Sequence, residues 1–439
     1  MTDRSPDALP SSARLPRVLR EFFETEIAGG IVLLVATVVA LVWVNSPFGD
    51  SYERLWHTEL SVRVGGFGLE EDLRHWVNEA LMAVFFFIVG LEIKRELVAG
   101  ELRTWRRAAT PAIAALGGMV APALLYLAVN AGDRGADGWG IPVATDIAFA
   151  LGVAALLGRR VPTGLKLFLL TLAIVDDICA IVVIAVFYSS DVQPLALLAA
   201  VGILGGMSGL RALKVTWMPA YVILGAGVWL AVFQSGVHAT IAGVVLGLLA
   251  PARPLTPASV AREWAESLSD DPTPAETRAM TTLARTTSSV AERLQLALHP
   301  VSSLCIVPLF ALANAGVVFE GSALRADGAA RVALGVGLGL VVGKLVGVSL
   351  GAYAAVRLGV GTLPEAMTWR HVVGGAALAG IGFTVSLFIT DLAFVDESLR
   401  AASKLGILAA SVSASAIGAL VLLIPPRTRA SGSRPPATP

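Results

Sequence analysis

Two adjacent acidic residues, Asp176 and Asp177, lie at the centre of a long apolar stretch, and they are the only charged residues between Lys166 and Tyr188. An aspartate at the centre of a lipid bilayer costs at least ~2.5–3.5 kcal/mol on insertion scales, and ionisable groups there usually serve transport. Neighbouring residues of a helix point about 100° apart, so the two carboxylates can border one cavity without facing one partner. The pair predicts a functional site, with an ion pair buried for packing as the alternative.

A lone lysine, Lys344, lies in the middle of another apolar stretch, residues 332–356. Glycines recur around it every four residues, at Gly335, Gly339, Gly343, Gly347 and Gly351. Such a stripe lets another backbone approach closely. A lysine beside a close contact is placed to meet a buried carboxylate, for which Asp176 and Asp146 are the candidates. A purely structural ion pair is the other interpretation.

Asp146 follows Thr145 near the start of a short apolar segment that opens with Gly138, Gly140 and Pro142. If a helix is broken at this point, free backbone groups and a partly positive helix end lie nearby. The Asp146 carboxylate then neutralises that dipole, helps to bind a cation, or does both. The sequence leaves these roles open.

Further ionisable residues lie toward the ends of apolar segments. Glu79 is near one end of the second segment, where it caps a helix or faces water, and the other end carries Glu92, Lys94, Arg95 and Glu96. For these four residues, a solvated interfacial end is the simpler interpretation. His238, at the start of the eighth segment, is either a pH-sensitive group or a satisfied interfacial residue.

The elements that must position these groups are apolar and long. Of the 439 residues, 55% are hydrophobic and only 15% are charged, with a mean hydropathy of +0.74, whereas soluble domains average about 25% charged residues. A spanning helix needs ~20 apolar residues. We therefore predict an all-α polytopic membrane protein with twelve transmembrane helices, at 27–44, 73–98, 108–130, 141–157, 164–188, 193–210, 217–233, 236–250, 299–318, 332–356, 371–390 and 402–424.

Lysine and arginine are concentrated in alternate loops, which orients the predicted helices with both termini in the cytoplasm. The stretch 1–26 is then a cytoplasmic N-terminal extension, 27–424 the membrane domain and 425–439 a disordered cytoplasmic tail. The apolar run that starts at Ile27 has no obvious small-residue cleavage site, so it is interpreted as the first spanning helix and not as a signal peptide.

Two loops are long. The outer (periplasmic) loop 45–72 contains an alternating apolar and polar run, Leu60 to Val64, followed by Gly65 and Gly66, which predicts a small β-hairpin. The inner loop 251–298 is rich in proline at its start and regains helical character near 278–298, so we predict a flexible linker that leads into an amphipathic helix.

The fourth and eleventh segments are both interrupted by small residues or proline, and they run in opposite directions because the eleventh is seven segments after the fourth, an odd number. Paired interrupted helices in corresponding places indicate inverted-topology repeats and the binding site of a transporter. The alternative is that glycine and proline are simply frequent in membrane helices.

Several functions are disfavoured. Net charge is +0, so there is no basic surface for nucleic acid, and the two cysteines, Cys179 and Cys305, have neither disulfide nor metal spacing. No cofactor is expected. An intramembrane aspartyl protease using Asp146 and Asp177 lacks the Gly-x-Gly-Asp pattern, and a cation-coupled symporter of an organic solute would need more intramembrane Asn, Gln or Arg.

The chemistry of the candidate residues favours cation–proton exchange. Small hard cations prefer oxygen ligands, which carboxylates, the Thr145 hydroxyl and the carbonyls of a broken helix supply. Cation and protons compete for the same oxygens, and coupled carboxylates titrate as a set. A site that opens to either side in turn, loaded with one or the other, is an antiporter, which is not an enzyme.

Six motifs, in one order, resemble the bacterial NhaA-type sodium/proton antiporters over about residues 20–424. They are WVNEALMAVFF (76–86), GLEIKRE (90–96), ATDIAFALG (144–152), IVDD (174–177), SGVHAT (235–240) and GIGFT (380–384). The resemblance implies twelve spanning helices, with the interrupted fourth and eleventh helices crossing. It implies electrogenic exchange of sodium or lithium for protons across the bacterial inner (plasma) membrane, activation at alkaline pH, and a role in pH and sodium homeostasis.

The resemblance also implies roles for individual residues. Asp177 and Asp176 match the cation (sodium) and proton site, Asp146 and Thr145 the helix crossing, and Lys344 the lysine that pairs with an acidic residue there. The outer hairpin matches a homodimer contact.

Positions linked to pH response in that family are matched by Glu92, Glu96 and His238, and His299 is a further candidate. Gln295 and Leu296 stand where an acidic residue and a histidine are expected, so the pH of activation is expected to depart from the family pattern. The inner loop and the N-terminal extension are also longer than expected.

Overall fold

A computed structural model describes residues 17–64, 67–189, 192–213, 215, 217–254, 273, 287–319, 325–364 and 367–424. Some predictions fall outside these residues. They concern most of the N-terminal extension, the hairpin turn at 65–66, most of the loop 251–298 and the tail 425–439.

The described chain is built almost entirely of helices. Its first nine helices are α1 (Arg17–Val44), α2 (Gly49–Trp56), α3 (Leu73–Ala99), α4 (Trp105–Asn130), α5 (Ile147–Leu156), α6 (Thr163–Phe187), α7 (Pro194–Ala212), α8 (Met218–Gln234) and α9 (Thr240–Leu249). The others are α10 (Val290–Asn314), α11 (Ala329–Arg357), α12 (Trp369–Leu378), α13 (Phe383–Ala393) and α14 (Glu397–Leu423). Short 3-10 helices lie at Glu101–Arg103, Ala136–Val143 and Gly158–Arg160.

Within the described residues, eight helices are long and apolar enough to cross a membrane, or up to ten if each of two bent helix pairs counts as one span. Helices α8 and α9 are apolar but shorter. The prediction of a polytopic, mostly helical membrane protein is confirmed at this level, and the number twelve stays a prediction.

The two bent pairs lie where the fourth and eleventh segments carry their small residues. The 3-10 helix Ala136–Val143 and α5 deviate from a straight line by a bend of 40°, and α12 and α13 by a bend of 45°. At the breaks, the backbone N–H of Asp146 donates to the carbonyl of Ile381 at 2.6 Å. A membrane interior offers no water to backbone groups, so this bond between the two breaks satisfies groups that a continuous helix would have paired internally.

Strands β1 (Glu59–Val64) and β2 (Phe67–Asp72) form an antiparallel hairpin, in register from Glu59 opposite Asp72 to Val64 opposite Phe67. The predicted hairpin is confirmed.

Helix α2, in the same loop, was not predicted, because eight residues are too few for a hydropathy signal. It buries Tyr52, whose hydroxyl lies 2.8 Å from the carbonyl oxygen of Leu312 in α10.

The chain divides into two compact units. Unit 1 comprises the described residues within 1–99 and 185–319, and unit 2 comprises those within 100–184 and 320–439. In unit 1, α3 and α9 meet backbone to backbone, because a Cβ added at Gly243 or Gly247 would overlap the carbonyl oxygens of Ala83 and Phe87. Small residues at a helix contact permit this close approach.

In unit 2, the glycine stripe of α11 packs against α4. A Cβ at Gly347 would overlap the carbonyl of Gly117, and one at Gly117 would overlap the carbonyl of Gly347. The predicted close approach of another backbone is therefore confirmed. A Cβ at Gly118 would overlap Cγ2 of Val348, so a second glycine of α4 is needed at this contact, and the stem of Lys344 lies beside it.

Replacing Gly347 by alanine is expected to destabilise the protein by about 1–3 kcal/mol, the usual cost of overpacking a tight contact. Gly337, in the same helix, is the matched control, because a Cβ there meets nothing within 4 Å and alanine is the better helix former by up to ~1 kcal/mol. The measurement is the thermal unfolding midpoint of the purified protein in detergent. Equal midpoints for the Gly347→Ala and Gly337→Ala variants would contradict the backbone-to-backbone contact.

Candidate functional site

The centre of unit 2 holds a buried ion pair between α6 and α11. The Lys344 ammonium donates to Oδ2 of Asp176, and the two side chains are 0% and 1% exposed. Sequence reasoning left Asp176 and Asp146 open as partners of Lys344, and the structure places it on Asp176. Lys344 directly follows a π turn, Gly339–Gly343, in α11, and π turns are frequent at functional sites.

The Asp176 carboxylate has one occupied and one open oxygen. Oδ2 takes the lysine contact and also lies 2.5 Å from the Thr145 hydroxyl. Oδ1 is fully buried and has no hydrogen-bond partner among the described residues. An unpaired charged oxygen in a dry interior is costly, so Oδ1 is a ligand position that a proton or a cation would stabilise.

Thr145 connects this carboxylate to the second broken helix pair. Its Oγ1 lies 2.9 Å from the carbonyl oxygen of Ala379, as well as 2.5 Å from Asp176. A hydroxyl has a single proton to donate. With Asp176 ionised, the hydroxyl donates either to the carboxylate or to the carbonyl, and its remaining lone pairs are available to a cation.

Asp146 lies at the N-termini of two half-helices. Its Oδ1 accepts from the backbone N–H of Phe149 in α5 at 3.1 Å. Its Oδ2 accepts from the backbone N–H (3.0 Å) and the hydroxyl (2.7 Å) of Thr384 in α13. The side chain is 3% exposed. These contacts are those of a carboxylate that neutralises two positive helix ends at once.

Sequence reasoning did not name Thr384 as a site residue. The available signal was its position at the end of the GIGFT motif, one residue into a helix that starts after two glycines. A hydroxyl and a free N–H at such a helix start are suitable donors to a buried anion.

Asp177 follows Asp176 in α6 but has a different environment. Asp176 is buried, whereas Asp177 is partly exposed, as expected of neighbouring side chains that point about 100° apart. Asp177 is therefore the more accessible of the two carboxylates to an ion that arrives from water.

The four residues expected to take part in pH response all belong to unit 1. Glu96 is 8% exposed and pairs with Arg95 at 3.1 Å, and Glu92 and His299 are partly buried. Of the two residues expected to differ from those at the matching positions, Gln295 is buried at 3% exposure and Leu296 is 55% exposed. A neutral amide thus occupies the buried position.

Glu79 is not at a solvated end, contrary to one of the interpretations above. It is 9% exposed, within the π turn Val77–Leu81 of α3, and its Oε2 accepts from the backbone N–H of Ala239 at the start of α9 (3.1 Å). It is therefore a capping group of another helix. The His238 ring lies between Glu79 Oε1 (Nδ1, 3.8 Å) and the Tyr188 carbonyl (Nε2, 2.8 Å).

His238 lies between α8 and α9, outside both helices. Burial by itself lowers the pKa of the His238 imidazole, but the hydrogen bond and charge of Glu79 and the Tyr188 carbonyl outweigh burial, so the pKa is raised. A raised folded-state pKa stabilises the protein below the unfolded pKa of about 6.5 and loses that stabilisation as pH rises through the folded pKa.

As pH rises above about 6.5, His238 loses its proton and with it the attraction to Glu79. We therefore expect the packing of α3 against α9 to become weaker. The His238→Gln variant should lose about 1 kcal/mol of this pH-dependent stability, a modest value because the pair is partly exposed. The thermal midpoint measured at a series of pH values would be flatter for His238→Gln, and also for Glu79→Gln, than for the wild type. A variant profile as steep as that of the wild type would refute the pairing.

Comparison with known proteins gives a consistent result over nearly the whole chain. A family model described as Na+/H+ antiporter 1 matches residues 20–422. The Na(+)/H(+) antiporter NhaA 3 of Frankia alni is 46% identical over 416 residues, which are 94% of this chain and 90% of that protein. The NhaA antiporter of Janthinobacterium sp. is 44% identical (94% of each chain), and that of Shewanella pealeana 44% (92% and 96%).

Proposed function

Since the chain belongs to the Na+/H+ antiporter 1 family, we propose that it exchanges sodium or lithium ions for protons as a secondary active transporter. The exchange is electrogenic and serves pH and sodium homeostasis. The protein is a multi-pass bacterial membrane protein, and the inner membrane, with both termini in the cytoplasm, is the proposed location.

The observation that carries this proposal is the open Oδ1 of Asp176 beside the occupied Oδ2. Without a cation, Lys344 compensates the charge of Asp176. A sodium ion that binds at Asp177 and Asp176, with the Thr145 hydroxyl as a further oxygen ligand, displaces the ammonium. Lys344 then gives up its proton and Asp177 releases a second one, so that more than one proton leaves per sodium ion and the exchange moves net charge. When the ion leaves, both groups are protonated again and the Lys344 ammonium returns to Asp176. Cation and proton thus never occupy the site together.

Asp146 has a positioning role in this proposal. Its carboxylate joins the starts of α5 and α13 through Phe149 and Thr384, so a movement of either half-helix is transmitted to the other. Alternating access then arises from rocking of the broken helices about the fixed carboxylates.

We also propose that α8, α9 and both bent pairs cross the membrane, which gives twelve spans with inverted repeats.

Two further proposals come from the resemblance and the exposed surfaces. The β1–β2 hairpin, whose Leu60 and Val62 are 47% and 46% exposed, is the proposed contact of a homodimer. Glu92, Glu96, His238 and His299 are the proposed pH-responsive residues. With Gln295 in a buried position, we expect activation to depend on fewer ionisable groups than in relatives that have an acid there.

Dye-reported proton flux in everted membrane vesicles tests the function. A respiratory pH gradient is established, and sodium or lithium is added across pH 6 to 9. We expect either ion to dissipate the gradient, and choline chloride at the same ionic strength to leave it unchanged. No response to sodium or lithium at any of these pH values would refute the antiporter function, and a response that requires an added organic solute would indicate a symporter.

A further inference from the structure

Unit 2 contains a second shielded ion pair, away from Asp176. Asp391 is the only charged residue of α13, and its Oδ1 lies 3.3 Å from the Lys404 ammonium of α14. The side chains are 15% and 12% exposed. The pair Asp133–Arg331, by contrast, is 22% and 61% exposed, which is usual for a surface ion pair. A shielded carboxylate in an apolar helix carries a desolvation cost that surface pairs do not have.

Helix geometry places Asp391 in line with the candidate site. Thr384, which holds Asp146, is seven residues before Asp391 in the same helix. Seven residues are nearly two turns, so the two side chains share one face of α13, about 10 Å apart along the axis. The shared face thus leads from Asp146 toward the loop after Ala393, which the sequence-based topology puts on the outer side.

Only one of the two oxygens of the Asp391 carboxylate has a partner among the described residues. Its Oδ2 is buried and has no hydrogen-bond partner among the described residues. The contact of Oδ1 with Lys404, at 3.3 Å, is longer than the roughly 2.7–2.9 Å of a strong charge-assisted hydrogen bond. A loosely held ammonium and an open carboxylate oxygen together form a place where a small hard cation competes with a lysine.

We propose that Asp391 is a second cation-binding carboxylate, which an ion occupies on its way between the outer side and the Asp146–Asp176 region, and that Lys404 is the competing internal cation. This inference rests on the proposed antiport function. Sodium at Asp391 displaces the Lys404 ammonium, and the ammonium returns when the ion moves on. Lys404 therefore prevents the outer carboxylate from holding the ion too tightly.

The two partners should have opposite effects on sodium affinity, which a merely structural pair would not. Sodium-driven alkalinisation is measured in right-side-out vesicles, where added sodium meets the outer face. Lys404→Met, which removes the competitor, should lower the apparent KM for sodium about fivefold, and Asp391→Asn should raise it about fivefold, each equivalent to roughly 1 kcal/mol. In everted vesicles, both variants should have the wild-type KM.

Controls separate this role from folding. Lys404→Arg keeps the positive charge and should keep the wild-type KM, and Arg331→Gln removes a cation from the exposed pair and should change nothing. If Lys404→Met does not accumulate in the membrane, Lys404→Gln provides the same neutral test. The amount of folded protein is measured by size-exclusion chromatography.

The outcomes are distinct. Opposite shifts of KM, confined to the outer face, support the second site. Shifts in the same direction, equal shifts in both vesicle orientations, or no shift overturn it and leave a structural ion pair. If the wild type exchanges no sodium in either orientation, the antiport function itself fails, and this inference fails with it.

Discussion

Asp177→Asn is expected to reduce sodium-driven proton flux to less than about one hundredth of the wild-type rate, because a charged ligand contact of roughly 3 kcal/mol is lost. The asparagine side chain has the same shape but cannot exchange a proton and offers only a neutral oxygen to the cation. Since Asp177 is partly exposed, the substitution should leave the fold intact. The rate is measured in everted vesicles with the pH-sensitive dye, at several sodium concentrations.

Asp133→Asn is the matched control. It also replaces an aspartate of unit 2 with asparagine, but its partner Arg331 is 61% exposed, and surface pairs contribute little. We expect the wild-type rate from it. An Asp177→Asn variant that retains a substantial rate at saturating sodium would show that another carboxylate carries the cation, with Asp176 as the first candidate.

Lys344→Met is expected to destabilise the protein by about 3–5 kcal/mol, the usual effect of leaving one partner of a buried ion pair without compensation. Methionine has an unbranched side chain of similar length but no charge, so the effect reports mainly on the lost ammonium. Asp176 would remain buried at 1% exposure without its ammonium. Denaturant unfolding in detergent, followed by intrinsic fluorescence, gives the free energy of unfolding.

The double variant Lys344→Met/Asp176→Asn should recover most of the lost stability, because it removes both charges. The difference between the double variant and the sum of the single ones is the coupling energy of the pair. Arg331→Gln, in the exposed pair with Asp133, should cost less than about 1 kcal/mol. Additive effects of Lys344→Met and Asp176→Asn would contradict the direct ion pair.

The candidate charges were identifiable from the sequence because membrane burial has a strong one-dimensional signature. Asp176, Asp177 and Lys344 interrupt apolar stretches in which any charge is costly, so their positions alone mark them. The hairpin was equally clear, since alternation in Leu60 to Val64 has the period of a strand. Glycines at every fourth position of α11 predict its close contact with another helix, although they do not identify that helix.

Other features depend on which elements lie side by side. The sequence left Lys344 with two candidate partners, and the choice of Asp176 follows from the packing of α6 beside α11, which brings its carboxylate to the Lys344 ammonium. From its position near one end of the second segment, Glu79 is expected to be an interfacial residue. It is buried because α9 starts next to it, with Ala239 as the donor. The π turns before Lys344 and around Glu79 have no sequence period of their own.

The sequence by itself thus determined the fold class, the buried carboxylates and the family. The tertiary structure decided which oxygen of Asp176 is occupied, how Asp146 joins two helix ends through Thr384, and that Asp391 meets Lys404. The physical reason is that a burial cost is a property of a residue within its own helix. A hydrogen bond between residues 168 positions apart exists only when packing brings both side chains to the same place.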